Sequence, residues 1–175
     1  DDYYLTRDLE ISLPRQNLLD NIAWMLNKIL IWNIEITSSL HERFRADFRE
    51  YFRIIYQPQA GIDLSDYIKA MELRDENPML YFWGYEYREQ LRSPSLSNDW
   101  NSFASSKDSG FYRDILETVY RLNQSYHYDV GVKRRGYEDV SFVIDDEIIS
   151  CLKKLQVGTR NKLESLGIAI ESNPS

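Results

Sequence analysis

Ser39-Leu-His-Glu-Arg-Phe-Arg-Ala-Asp-Phe-Arg-Glu-Tyr-Phe-Arg-Ile-Ile-Tyr56 is the stretch whose reading decides the fold. Leu40, Phe44, Phe48, Tyr51, Phe52, Ile55 and Tyr56 recur at steps of three and four, which gathers them on one face of an α-helix. Ser39-x-x-Glu42 has the form of a capping box, in which each residue satisfies a backbone N–H at the helix start. One apolar stripe needs a second element to cover it. The preceding segment supplies that element: Pro14 suits a first helical turn, and Leu18, Leu19, Ile22, Met25, Leu26, Ile29, Leu30 and Trp32 follow at helical spacing. Two antiparallel helices, the first largely buried, are the expected nucleus.

Outward from this pair the signals stay mostly helical. Asp63 or Ser65 can cap a shorter helix running through Leu73, and after Asn77-Pro78 a further helix is expected from Met79 to Leu91. Ser93 to Gly110 is rich in Ser, Asn and Asp, which bond to local backbone and favour a long connection. Helical spacing resumes from Phe111 to Ser125. Tyr126 to Val132 then alternates, Lys133-Arg-Arg-Gly136 has the composition of a turn, and Tyr137 to Ile144 ends in a β-rich run, so a hairpin is expected over 126–144. Asp145-Asp146-Glu147 places negative charge at the start of a last helix, with Gly158 as its weak point. The whole reads as all-α: a compact bundle of five or six helices with one small β-hairpin, preceded by a loosely alternating, partly extended N-terminal arm over 1–13 and forming a single helical domain over 14–175.

Composition narrows the function classes. The chain has 175 residues with 4 Trp, 13 Tyr and 7 Phe, an aromatic load suited to packing and foreign to disordered chains. Its formal charge of −7 argues against a non-specific grip on nucleic-acid backbone, so any anion site must be a local patch. Cys151 is the one cysteine, which excludes an internal disulfide and a thiolate zinc cluster and suits a reducing compartment, with cytoplasm as the expected location. The most apolar run, Ile22 to Ile34, is broken by Asn27, Lys28 and Asn33 and falls short of the about 20 apolar residues of a membrane span. No secretion signal is visible in Asp-Asp-Tyr-Tyr. No cofactor is implied, and His41 has no partner ligand at helical spacing, so no metal site is expected.

Four features carry candidate chemistry. Arg45, Arg49 and Arg53 lie four apart opposite the aromatic stripe and could grip phosphates or an acidic partner, or simply form a solvated face offset by Asp47 and Glu50. Met79 to Tyr87 holds Tyr81, Trp83, Tyr85 and Tyr87, more aromatic rings than one helix face can bury, and such residues are enriched at binding hot spots. Lys133, Arg134 and Arg135 make a second basic cluster on the expected hairpin tip. Arg121 with His127, an Arg-x5-His spacing in a helical chain, resembles the motif of HEPN ribonucleases, a resemblance covering seven residues and departing at Leu122, where the family usually has a polar residue. It implies metal-independent RNA cleavage at a dimer interface, with His127 moving a proton and Arg121 holding a phosphate. Asn98-Asp99-x-x-Ser102 looks like part of a terpene-synthase magnesium motif, but Ser106 stands where that pattern requires Glu, and a polar loop is the plainer account. The expected function is therefore a non-catalytic protein-interaction module or small subunit of a larger assembly. A protein partner or self-association is expected, nucleic acid could be met through a local basic patch, and no membrane is implicated; the ribonuclease is the alternative, and a small-ligand sensor with an aromatic pocket, which leaves no fixed spacing, is a third class.

Overall fold

The structure is a computed structural model that describes residues 8–56, 61–85 and 109–168. Its elements are β1 (Leu9–Pro14), α1 (Arg15–Ile31), α2 (Ser38–Tyr56), α3 (Leu64–Glu76), α4 (Pro78–Tyr85), α5 (Ser109–Tyr128), α6 (Val130–Tyr137), β2 (Asp139–Ile144) and α7 (Asp146–Ser165). The architecture is the expected mostly-α bundle with one small antiparallel strand pair. α1 is the hub, touching α2, α3, α6, α7 and β1, because Leu18, Leu19, Ile22, Ala23, Met25 and Ile29 give it buried residues on several faces. Around it Phe44 and Ile55 of α2, Tyr67 of α3, Val119 of α5, Val132 of α6 and Ile148 of α7 are almost wholly removed from water. Burying a large apolar side chain in this way contributes about 1.5–3 kcal/mol.

Local chemistry sets the helix starts. Thr37 opens α2: its Oγ1 accepts from the Leu40 N–H at 3.1 Å, so the cap lies at Thr37 and not at Ser39. Asp63 accepts from Asp66 N–H at 2.9 Å, Asn77 from Leu80 N–H at 3.2 Å, and Asp145 from Ile148 N–H at 3.0 Å. α7 runs unbroken through Gly158, whose missing side chain leaves space for Trp32: a Cβ there would stand 2.5 Å from the indole.

The segment 126–144 differs from the expected local hairpin. Only its second strand is a strand, and β2 pairs antiparallel with β1, Leu9 opposite Ile144 and Pro14 opposite Asp139. Tyr126 to Tyr128 finish α5, and Asp129 is not a strand residue but the cap of α6, accepting from Val132 N–H at 3.0 Å. Val132 and Gly136, four apart, then face the core as a helix requires. Lys133, Arg134 and Arg135 therefore lie on a helix and not on a turn. The Arg135 guanidinium donates to the Ile55 carbonyl from Nε at 3.1 Å and from an Nη at 2.9 Å, tying α6 to the last turn of α2.

Candidate functional site

Two concavities lie along α1 and α3 and share Met71 between them. The first is a groove of about 440 Å³ between α1, α2 and α3. Ala23 and Leu26 of α1, Phe48 of α2 and Met71 of α3 are among its lining residues. Two apolar side chains on its walls are open to water, Leu30 at 75% and Ile68 at 39%. Because the α2 stripe points inward, the residues beside it form the rim: His41, Arg45 and Arg49, facing Glu72 of α3. Neither Arg45 nor Arg49 has an ion-pair partner among the described residues. Arg53, the third of the row, is not part of this rim. It forms a two-pronged pair with Glu50, at 3.0 and 2.8 Å.

The second concavity, a cleft of about 260 Å³, is lined by Tyr56, Tyr67, Tyr81, Tyr85 and Tyr126 around Asp20. These side chains come from α1, α2, α3, α4 and α5. Tyr67 Oη donates to Asp20 Oδ1 at 3.1 Å and Gln16 Nε2 donates to the same oxygen at 3.2 Å. Arg74 approaches Oδ1 to 3.6 Å while its Nε donates to Asp75 at 3.0 Å. Desolvation among the rings raises the Asp20 carboxyl above its ordinary range, against the opposing pull of Arg74 and the two hydrogen bonds. Burial and the Asp20 charge together push the Tyr56 and Tyr67 phenols well up. The hydrogen bond to Tyr137, with burial, pushes Tyr126 up to about 12.

The aromatic run of α4 divides between surfaces. Tyr81 and Tyr85 meet edge to face at 5.4 Å and line the cleft, Trp83 packs with Leu80 and Leu116 in a separate apolar cluster, and Phe82 stands exposed. Tyr87 lies outside the described residues, as do Asn98, Asp99 and Ser102.

Arg121 and His127 both belong to α5, so His127 is a helix residue and not the start of a strand. Six residues apart, they are turned about 120° from one another. His127 reaches the rim of the tyrosine cleft, whereas Arg121 donates to the Gly61 carbonyl at 3.0 Å and does not line that cleft. One chain thus does not bring the pair together. Arg135 is engaged in holding α2, while Lys133 and Arg134 remain exposed.

Cys151 is buried, and burial pushes its thiol up, away from thiolate reactivity. No cluster of metal-ligating side chains occurs among the described residues, and none of their helices is long and apolar enough to cross a membrane. Sequence reasoning found the Arg45 and Arg49 rim and missed the Asp20 cleft, whose members share no spacing signal because they converge from five helices. Comparison with known protein families, with curated proteins and with solved structures finds no match for this chain.

Proposed function

We propose that the protein is a non-catalytic interaction module that receives an acidic amphipathic helix of a protein partner in the groove between α1, α2 and α3. The carrying observation is the coincidence of an open apolar trough, with Leu30 at 75% exposure, and two arginines on its edge that lack partners among the described residues. Apolar anchors at steps of three and four would fill the trough, and carboxylates beside them would meet Arg45 and Arg49, a helix-in-groove arrangement. The wholly buried Cys151 fits the reducing cytoplasm as the place of action.

The test uses a synthetic helical peptide with Leu at i, i+3, i+4 and i+7 and Glu on its flanks, against the same peptide with Lys in place of Glu. Expected is saturable binding of the Glu form alone, weakened by salt and lost in Leu30→Asp and in an Arg45→Glu, Arg49→Glu double variant. These positions are exposed, so the variants should keep their stability to within about 0.5 kcal/mol. Equal binding of both peptides, or wild-type affinity in the variants, refutes the reading.

The ribonuclease reading draws support from one observation, that Arg121 and His127 share a single helix. It requires a second copy to supply the convergence that one chain lacks. RNA cleavage that vanishes in His127→Ala and grows with the square of protein concentration would establish it; an inactive wild-type dimer would end it. Lys133 and Arg134 offer a small basic patch on which RNA could rest in that case.

A further inference from the structure

We propose that the tyrosine cleft is a binding site for a small organic ammonium ion, its charge set against Asp20 and its alkyl groups against the part-exposed rings of Tyr81, Tyr85 and Tyr126. The inference is separate from the groove reading, since neither Asp20 nor the cleft tyrosines line the groove.

The charge count comes first. Asp20 and Asp75 face a single guanidinium, that of Arg74. Asp75 holds it more closely, at 3.0 Å against 3.6 Å, and Asp75 is 5% exposed and also accepts from Asn27 at 3.2 Å. Arg74 is therefore committed to the buried carboxylate, and the trio leaves one negative charge at the cleft. The hydrogen bonds to Asp20 are also one-sided. Tyr67, Gln16 and Arg74 all address Oδ1, and no described residue bonds to Oδ2. The side chain remains 40% exposed. One carboxylate oxygen thus stands open inside an aromatic cleft.

The walls select the kind of cation. Tyrosine rings present a negative π-face that attracts alkylammonium groups while also burying their methyl surface. The phenols stay neutral, since burial and the Asp20 charge hold those of Tyr56 and Tyr67, and burial and the neighbouring Tyr85 that of Tyr81, above their ordinary range. A divalent metal would need several hard oxygen ligands, and the cleft offers one open carboxylate oxygen. An anion would face the Asp20 carboxylate and a guanidinium already paired. The volume of about 260 Å³ lies below the roughly 300–1,000 Å³ of sites for drug-sized ligands, which suits a small cation.

The experiment titrates the whole protein with choline and with 3,3-dimethylbutan-1-ol, which has the same shape and no charge, by calorimetry and by NMR of the tyrosine ring protons. Expected is saturable choline binding at least tenfold tighter than that of the neutral isostere. Asp20→Asn should bring choline to the level of the isostere, and Tyr85→Leu should weaken choline several-fold while leaving the isostere unchanged. A further arm with Nα-acetyl-trimethyllysine amide separates the sources: tighter binding than choline points to a methylated side chain of a partner, weaker binding to a free amine. Equal affinity for choline and its neutral isostere, absence of saturation for either cation, or undiminished choline binding by Asp20→Asn overturns the proposal. Should Asp20→Asn fail to fold, the half-buried Tyr85 variant decides alone.

Discussion

Replacing Gly84 by Ala should destabilise the protein, although the same exchange in most helices does the reverse. Alanine gains about 1 kcal/mol over glycine in helix propensity. At this position the new Cβ would stand 2.6 Å from Val119 Cγ1, 2.7 Å from Val119 Cβ and 3.5 Å from Leu116 Cδ2. Comfortable carbon contacts lie at roughly 3.5–4.0 Å, so α4 and α5 must separate by about 1 Å. Val119 cannot yield by changing rotamer, because its Cβ is fixed to the α5 backbone, and both it and Leu116 are fully buried. Overpacking of this kind costs about 1–3 kcal/mol, and the rigid obstacle puts the cost in the upper part of that range. The net loss is about 1–2 kcal/mol, which for a chain of this size lowers Tm by roughly 2–8 °C. Gly136→Ala is the matched control, since its nearest neighbour, Gln16 Cβ, lies 3.4 Å away, and it should be neutral or stabilising by up to about 1 kcal/mol. Thermal and urea melts of both variants measure the difference. A Gly84→Ala protein that melts at or above wild type would refute the close approach of α4 to α5.

Asp145→Ala should cost about 1–2 kcal/mol in urea unfolding, since it removes the α7 cap together with the 2.6 Å pair to Arg43. The Ile148 N–H holds the Asp145 carboxyl below the usual range, so its contribution is present above the unfolded-state value and is lost as pH falls through the folded one. The gap between wild type and Asp145→Asn should therefore close below about pH 4. For Asp20 the sign is opposite. Its raised folded value means that ionisation opposes folding, so Asp20→Asn should be as stable as wild type or more so at pH 7. That advantage should shrink as pH falls through the raised folded value and be gone by the unfolded-state value of about pH 4, and an Asp20→Asn protein less stable than wild type at pH 7 would contradict the desolvation of this carboxylate.

The fold was legible where one element carries its own signal. The period of Leu40, Phe44, Phe48 and Ile55 is a property of α2 alone, and the structure keeps it. What escaped depends on partners far along the chain. β1 becomes a strand because Leu9 to Pro14 find Asp139 to Ile144, a pairing no local pattern announces. Tyr126 to Val132 alternates like a strand, yet Asp129 caps α6 and the core takes Val132 and Gly136 at helical spacing. Capping was ambiguous for a similar reason: Thr37, Ser38 and Ser39 all qualify by type, and only the 3.1 Å bond from Leu40 N–H selects Thr37. Gly158 reads as a helix breaker, while its neighbour across space, Trp32, needs the room a side chain would fill.

The surfaces divide along the same line, and the division has an electrostatic consequence. Arg45, Arg49 and Arg53 share one register in sequence, but Glu50, three residues before Arg53, draws that arginine away and leaves only two at the groove. Asp20, in contrast, looks like an ordinary solvated helix residue until α2, α3, α4 and α5 close around it. Between the two surfaces runs a polar chain, Asn27 to Asp75 at 3.2 Å, Asp75 to Arg74 at 3.0 Å and Arg74 to Asp20 at 3.6 Å, with Met71 lining both concavities. Arg74 lines the cleft, but its single charge is shared between Asp75 and Asp20, so the trio leaves a negative charge there, while Arg45 and Arg49 against Glu72 leave the groove positive. The chain as a whole carries −7. Its long-range field therefore draws a cation toward the cleft and opposes an acidic segment approaching the groove, where only the nearby Arg45 and Arg49 reverse the sign. Screening should act differently at the two sites: salt weakens the cation's approach throughout, whereas at the groove it suppresses the distant repulsion as well as the local attraction, so the groove contact should show the shallower salt dependence per charge.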